Sequence, residues 1–221
     1  MKTDPEYIKQ LEETIKQMLH PIKNIPLKLV IESISGCKVI PFNKEDNKDQ
    51  DVLKKLVEVA KVAGVNINKK GIARKRPNEV GNDIEPYVLS ALQQLGYRAK
   101  RPKTKTGKNK SVGYPDIEFL DQFERTNYLE CKTYNIENVA TTQRSFYLSP
   151  SEDFKITKDA RHFIISFEIV VDGSQGNMNI YKCKAWKILS AEKLLVDVKY
   201  EFNSDNARMY QSGLLLAEGK L

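Results

Sequence analysis

The sequence predicts a mixed α/β fold, a central mixed β-sheet flanked by helices, with an α-helical extension at the N-terminus. Three observations predict it. Apolar residues recur at helical spacing in three stretches of the first half; the middle and late parts hold runs of β-branched and aromatic residues bounded by turn signals; and a helix stands directly ahead of the first strands. The chain has 221 residues and 40% hydrophobic content, enough for a sizeable core and too much for a disordered chain. One domain over residues 1–221 is expected, with 1–68 as the mainly helical extension and 78–202 as the core.

Asp4-Pro5 makes a helix start, and Tyr7, Ile8, Leu11, Ile15 and Leu19 then repeat at helical spacing up to His20-Pro21. Residues 27–34 are a short apolar stretch whose type the pattern leaves open. Residues 37–42 are expected to be extended, because Ile40 precedes Pro41. Beyond a polar loop at 43–50, Val52, Leu53, Leu56, Val57, Ala60 and Ala63 define an amphipathic helix, with Gly64 as its stop. A second such helix covers about residues 82–95, with Ile84, Val88, Leu92 and Leu95 on one face and Gly96 as cap. Two strand-like runs follow on either side of a polar bend at 121–127. Then come a polar segment at 135–158, an apolar strand at 162–171, a hairpin turn at 172–177, and two strands near 178–186 and 195–202. There is no internal repeat and no low-complexity tract.

The stretch from Tyr114 to Tyr134, YPDIEFLDQFERTNYLECKTY, is the most informative. Asp116 follows Pro115 and opens the first strand-like run. Glu130 and Lys132 lie two residues apart in the second, so they project from one face while Leu129 and Cys131 project from the other. If the two runs pair as a hairpin, Asp116 meets Glu130 at its open end. Two carboxylates and an ammonium on rigid strands suit a hard divalent cation and a phosphate, which is the chemistry of phosphodiester hydrolysis. The competing reading is a surface hairpin braced by cross-strand ion pairs. Against it, charges inside an apolar segment require partners, because an unpaired buried charge is costly.

Pro115-Asp116, a spacer and Glu130-Cys131-Lys132 resemble the PD-(D/E)XK nuclease superfamily, and within it the type II restriction endonucleases. The resemblance implies a restriction-endonuclease-like core and a metal-dependent, sequence-specific endonuclease acting on double-stranded DNA. It implies Mg²⁺ held by Asp116 and Glu130 with the backbone carbonyl of Cys131, and Lys132 orienting or helping to deprotonate the attacking water. It also implies a homodimer, by analogy and by the symmetry of DNA sites. Many members place a glutamate on the first core helix beside the metal, which nominates Glu85 in GNDIEPY; Glu79 is the reserve. With Asn82 as N-cap, however, Glu85 would complete a capping box, and Pro86 sits awkwardly in that helix start. Both roles stay open. Two rival functions also stand: a structure-selective nuclease (junction resolvase or repair nickase), and a non-catalytic basic nucleic-acid-binding protein.

A net charge of +7 and a pI near 9.1 permit a polyanionic partner. Lys69, Lys70, Arg74, Lys75 and Arg76 precede the helix with Glu85. Arg98, Lys100, Arg101, Lys103, Lys105, Lys108 and Lys110 follow it, with Thr104, Thr106, Gly107 and Asn109 interspersed, the make-up of a mobile arm that folds onto phosphates. In Thr141-Thr142-Gln143-Arg144-Ser145, Thr142, Gln143 and Arg144 are candidates for base contacts, and a threonine N-cap is the alternative. Three cysteines without metal spacing, no signal peptide and no apolar run of the ~18 residues a span needs point to a cytoplasmic protein that does not engage a membrane. His20 and His162 lack ligand-spaced partners, and there is no glycine-rich GK[ST] loop, so zinc and ATP chemistry are disfavoured.

Overall fold

A computed structural model describes residues 4–142, 145–201, 204–209 and 214. The chain divides into two compact units, one of Met1–Ile25 with Leu195–Leu221, the other of Pro26–Leu194. In the first, helix α1 (Pro5–Gln17) begins at Asp4, whose carboxylate accepts from the Glu6 N–H at 3.0 Å, and buries none of its residues. The same unit joins its two chain segments where Val198 N–H donates to the Ile22 carbonyl at 2.9 Å.

The second unit is built on one six-stranded sheet. Its strands are β1 (Ile72–Arg74), β2 (Arg98–Lys100), β3 (Ile117–Leu120), β4 (Thr126–Tyr134), β5 (Arg161–Gln175) and β6 (Met178–Ser190), in the spatial order β1-β6-β5-β4-β3-β2. All neighbours are antiparallel except β4 and β5, which run parallel. A parallel pair needs a crossover rather than a tight turn. The polar segment after Tyr134 supplies it.

Helices α3 (Asn47–Lys70) and α4 (Gly81–Gln94) pack on one sheet face. Val52, Leu56, Val59, Ala60, Ala63 and Ile67 of α3 and Ile84, Val88, Ala91 and Leu92 of α4 meet Phe119, Leu129, Cys131, Ile165 and Phe167 there. Asp46 caps α3, its carboxylate accepting from Lys48 and Asp49 N–H. Gly64 does not end this helix: the apolar face runs on to Ile67, and the stop is Gly71, at φ +69°. The stretch left open at 27–34 is helix α2 (Leu27–Ser35), which buries Leu27 and Ile31 and closes on Gly36 at φ +72°.

Further differences from the sequence expectations have physical reasons. Strands β1 and β2 lie inside the basic runs, where short edge strands with charged residues give little periodic signal. Pairing of β5 with β6 persists to Gln175 opposite Met178, past irregularities near Glu168 and Val171, so the turn is confined to the two residues after Gln175. Near 195–202 only Leu195–Val196 is strand among the described residues.

Candidate active site

The strand expected to carry Glu130 and Lys132 does so, and its alternation is as expected. Leu129 and Cys131 enter the helix-covered core, while Tyr128 and Glu130 are buried on the opposite face. Ile117 pairs with Leu129 in the antiparallel β3–β4 ladder, so one step back the register sets Asp116 opposite Glu130. The Cys131 N–H donates to Asp116 Oδ2 at 2.8 Å, which fixes this carboxylate against the neighbouring strand. Glu130 is 4% exposed; its Oε1 accepts from Lys132 Nζ at 2.6 Å, and its buried Oε2 has no partner among the described residues.

The electrostatics follow from burial and crowding. Burial and the adjacent Asp116 charge push the Glu130 carboxyl up to about 7, with Lys132 and Lys155 partly opposing them. Burial also raises the Cys131 thiol, as do Asp116, Glu130 and Glu85, so this cysteine is a protonated core residue. Lys155 comes from the polar crossover and is 5% exposed. Its Nζ donates to the Gly113 carbonyl at 2.6 Å and the Pro115 carbonyl at 3.2 Å, just before Asp116. The sequence gives no local signal for Lys155, because its burial depends on partners about forty residues earlier in the chain. Behind the site, Tyr114 Oη and His162 Nδ1 bond at 2.7 Å, and burial holds His162 down to about 3, a neutral core histidine.

Glu85 lies in the early turns of α4, within electrostatic reach of Cys131 and Lys155. Its Oε1 accepts from Arg101 Nε at 2.5 Å. The capping-box alternative does not form: a 3-10 turn at Pro77–Glu79 leads into the helix, Val80 is its N-cap, and no side chain caps it. Glu79 is occupied with Arg76 at 3.2 Å.

The two basic runs sit on opposite edges of the sheet, through β1 and β2. Arg74 forms a two-pronged bond to Asp83 at 2.7 and 2.6 Å, Arg76 bonds Glu79, and Lys69 bonds Asn66. The segment with Lys103, Lys105, Lys108 and Lys110 is a tied turn rather than a loose arm. Lys103 bridges Asn109, Thr104 N–H donates to the Lys108 carbonyl, and Thr106 is held twice by Asp153 at 3.0 Å. Thr142 is exposed beyond a turn in which Thr141 bonds the Asn138 carbonyl. Gln143 and Arg144 lie outside the described residues.

The donor set fits a hard divalent cation. Two facing carboxylates, one with a buried oxygen that lacks a donor among the described residues, offer the oxygen ligands that suit such ions. Among the described residues no three His, Cys, Asp or Glu side chains converge as a ready ligand set. The protein would therefore contribute two carboxylates, with the Cys131 backbone carbonyl expected beside them, and water or phosphate the remaining positions.

A family model described as the type II restriction enzyme MjaV family matches residues 19–213. Over 234 aligned positions the chain is 38% identical to the type II restriction enzyme MjaV of Methanocaldococcus jannaschii, and the alignment covers 99% of each protein. No solved structure matches the chain.

Proposed function

The chain belongs to the type II restriction enzyme MjaV family, and from this premise we propose that it is a sequence-specific endonuclease cutting double-stranded DNA at Asp116, Glu130 and Lys132. The observation that carries the assignment is the register that sets Asp116 opposite Glu130, with the buried Glu130 Oε2 lacking a partner among the described residues. Enzymes of this class generally use divalent metal ions; here Mg²⁺ is the proposed cofactor, Asp116 and Glu130 its ligands. A bound ion would supply positive charge to the phosphate and lower the pKa of water beside it.

The side chains divide the remaining work. Asp116 is held rigid by the Cys131 N–H, so its free oxygen keeps a fixed direction. Glu130 holds a proton on its carboxyl part of the time near neutral pH and must release it when a cation binds. Lys132, on the same strand face, offsets charge growing on the phosphate oxygens and orients the attacking water. Glu85 is proposed to assist from α4 while paired with Arg101. The lysines of the 103–110 turn and of the 69–76 run would contact phosphates. A homodimer in the cytoplasm completes the proposal.

Plasmid DNA incubated with protein and Mg²⁺ should give discrete ends at one short sequence, and Asp116→Ala should bind that DNA without cutting it. Cleavage confined to branched DNA would overturn sequence-specific restriction, and full cleavage by Asp116→Ala would overturn the site.

A further inference from the structure

Of the three carboxylates grouped around Glu130 of β4, two are ion-paired and the third, Asp116, follows a strand entry held by a buried ammonium. Lys132 Nζ holds Glu130 at 2.6 Å, and Arg101 Nε holds Glu85 at 2.5 Å. The strand entry that carries Asp116 is held by Lys155 through the Gly113 and Pro115 carbonyls. Lys155 is unusual among the three cations: lysine is seldom fully buried, yet here it is 5% exposed. Burial holds its pKa below the ordinary lysine value, and the fields of Asp116, Glu85 and Glu130 oppose that shift only in part. Its two carbonyl contacts place an amine head among these carboxylates, contributed by a segment otherwise outside the motif.

With Glu130 ionised, as cation binding requires, three carboxylates against three cations make this cluster formally neutral apart from its ligands. One divalent ion meeting a phosphodiester there leaves a single net positive charge. Two ions leave three positive charges beside a buried ammonium, a strongly repulsive arrangement in a poorly solvated place. The ligand set agrees: the described residues bring two facing carboxylates and one unpartnered buried oxygen, Glu130 Oε2, and no group of three metal-binding side chains. We propose that Lys155, with Arg101 on Glu85, supplies the charge that a second metal ion would otherwise supply, so that the site works with a single divalent cation on Asp116 and Glu130. The inference rests on the metal assignment given under Proposed function.

Mn²⁺ binding to the full chain, counted by electron paramagnetic resonance with Asp116→Ala as the blank, tests it. The wild type should bind one Asp116-dependent ion per chain, and so should Lys155→Arg. Lys155→Met, shown folded by its melting curve, should bind Mn²⁺ about tenfold more tightly or better, because a unit charge near the ion is gone, and should take up a second ion. Two Asp116-dependent ions per wild-type chain would overturn the inference without needing any variant to fold. An unchanged count and affinity in folded Lys155→Met would overturn the role of Lys155. Mn²⁺ uptake indifferent to Asp116→Ala would instead remove the metal assignment beneath both.

Discussion

Near neutral pH the buried Glu130 is divided between its protonated and ionised forms, since burial and the Asp116 charge push its carboxyl up to about 7. Its folded value lies above the ordinary 4.5, so without a cation the folded protein keeps a proton that the unfolded chain releases earlier. That contribution to stability is fully present below about pH 4.5 and is lost as pH rises through about 7. Cation binding has the opposite sign, because it requires the carboxylate. Cleavage at limiting Mg²⁺ should therefore rise with pH through about 7. Over the same window the metal-free melting temperature should fall in the wild type relative to Glu130→Gln. Parallel melting curves for the two proteins across that range would show that Glu130 does not carry the raised pKa. Glu85 offers a second test. Because Val80 caps α4 and Glu85 takes no capping role, Glu85→Gln should lose only a part-exposed ion pair, about 0.2–1 kcal/mol. A cleavage rate lower by tenfold or more alongside that small stability loss would place Glu85 in the reaction; normal turnover would leave it a brace for Arg101.

At the scale of elements, α3 is tied to the sheet by a buried ionic network as well as by its apolar face. Asp49, 0% exposed, accepts from the Asn43 N–H at 2.9 Å and pairs with Arg125 at 2.8 Å and Arg161 at 2.9 Å. Burial pushes its carboxyl up, but these partners more than offset that and leave its pKa below the ordinary value. Asp49→Ala would strand the Arg161 guanidinium and leave Arg125 with Asp121 alone, a loss of about 3–5 kcal/mol, measurable by urea unfolding. A loss below about 1 kcal/mol would show that water replaces the carboxylate there. The lysine turn makes a different prediction. Neutralising Lys103, Lys105, Lys108 and Lys110 together should weaken binding to every DNA sequence alike. It should also flatten the slope of log K against log[salt] by roughly 0.9 per lost phosphate contact, and an unchanged slope would put this turn off the DNA.

The same elements show what was legible in the sequence. The Asp116–Glu130 encounter was legible because strand alternation and a short bend are local rules, and the β3–β4 register obeys them. The apolar faces of α3 and α4 were legible by period. Helix α2 was not, since nine residues of mixed pattern do not separate helix from strand. Strands β1 and β2 owe their conformation to partners far along the chain, β6 and β3. Lys155 is hidden for the same reason, because only the parallel crossover brings it under Asp116.

For the whole molecule, one chain holds one Asp116–Glu130–Lys132 set, whereas double-strand cleavage acts on two scissile phosphates. A closed two-fold dimer would present two such sets to a symmetric site; a monomer would have to release one strand and rebind the other. These alternatives differ in their kinetics. A dimer should give linear product with little nicked intermediate at high protein concentration, and nicks should accumulate as dilution separates the chains. Mixing wild type with Asp116→Ala sharpens the test. Random pairing of equal amounts makes half the dimers mixed, and each mixed dimer can cut only one strand, so nicked circles should dominate among the first products. In a monomeric enzyme the inactive chain would merely dilute the active one, and the ratio of nicked to linear product would stay that of the wild type. Sedimentation at the concentrations used for cleavage would then report whether the +7 chains associate by themselves or only once DNA phosphates offset their repulsion.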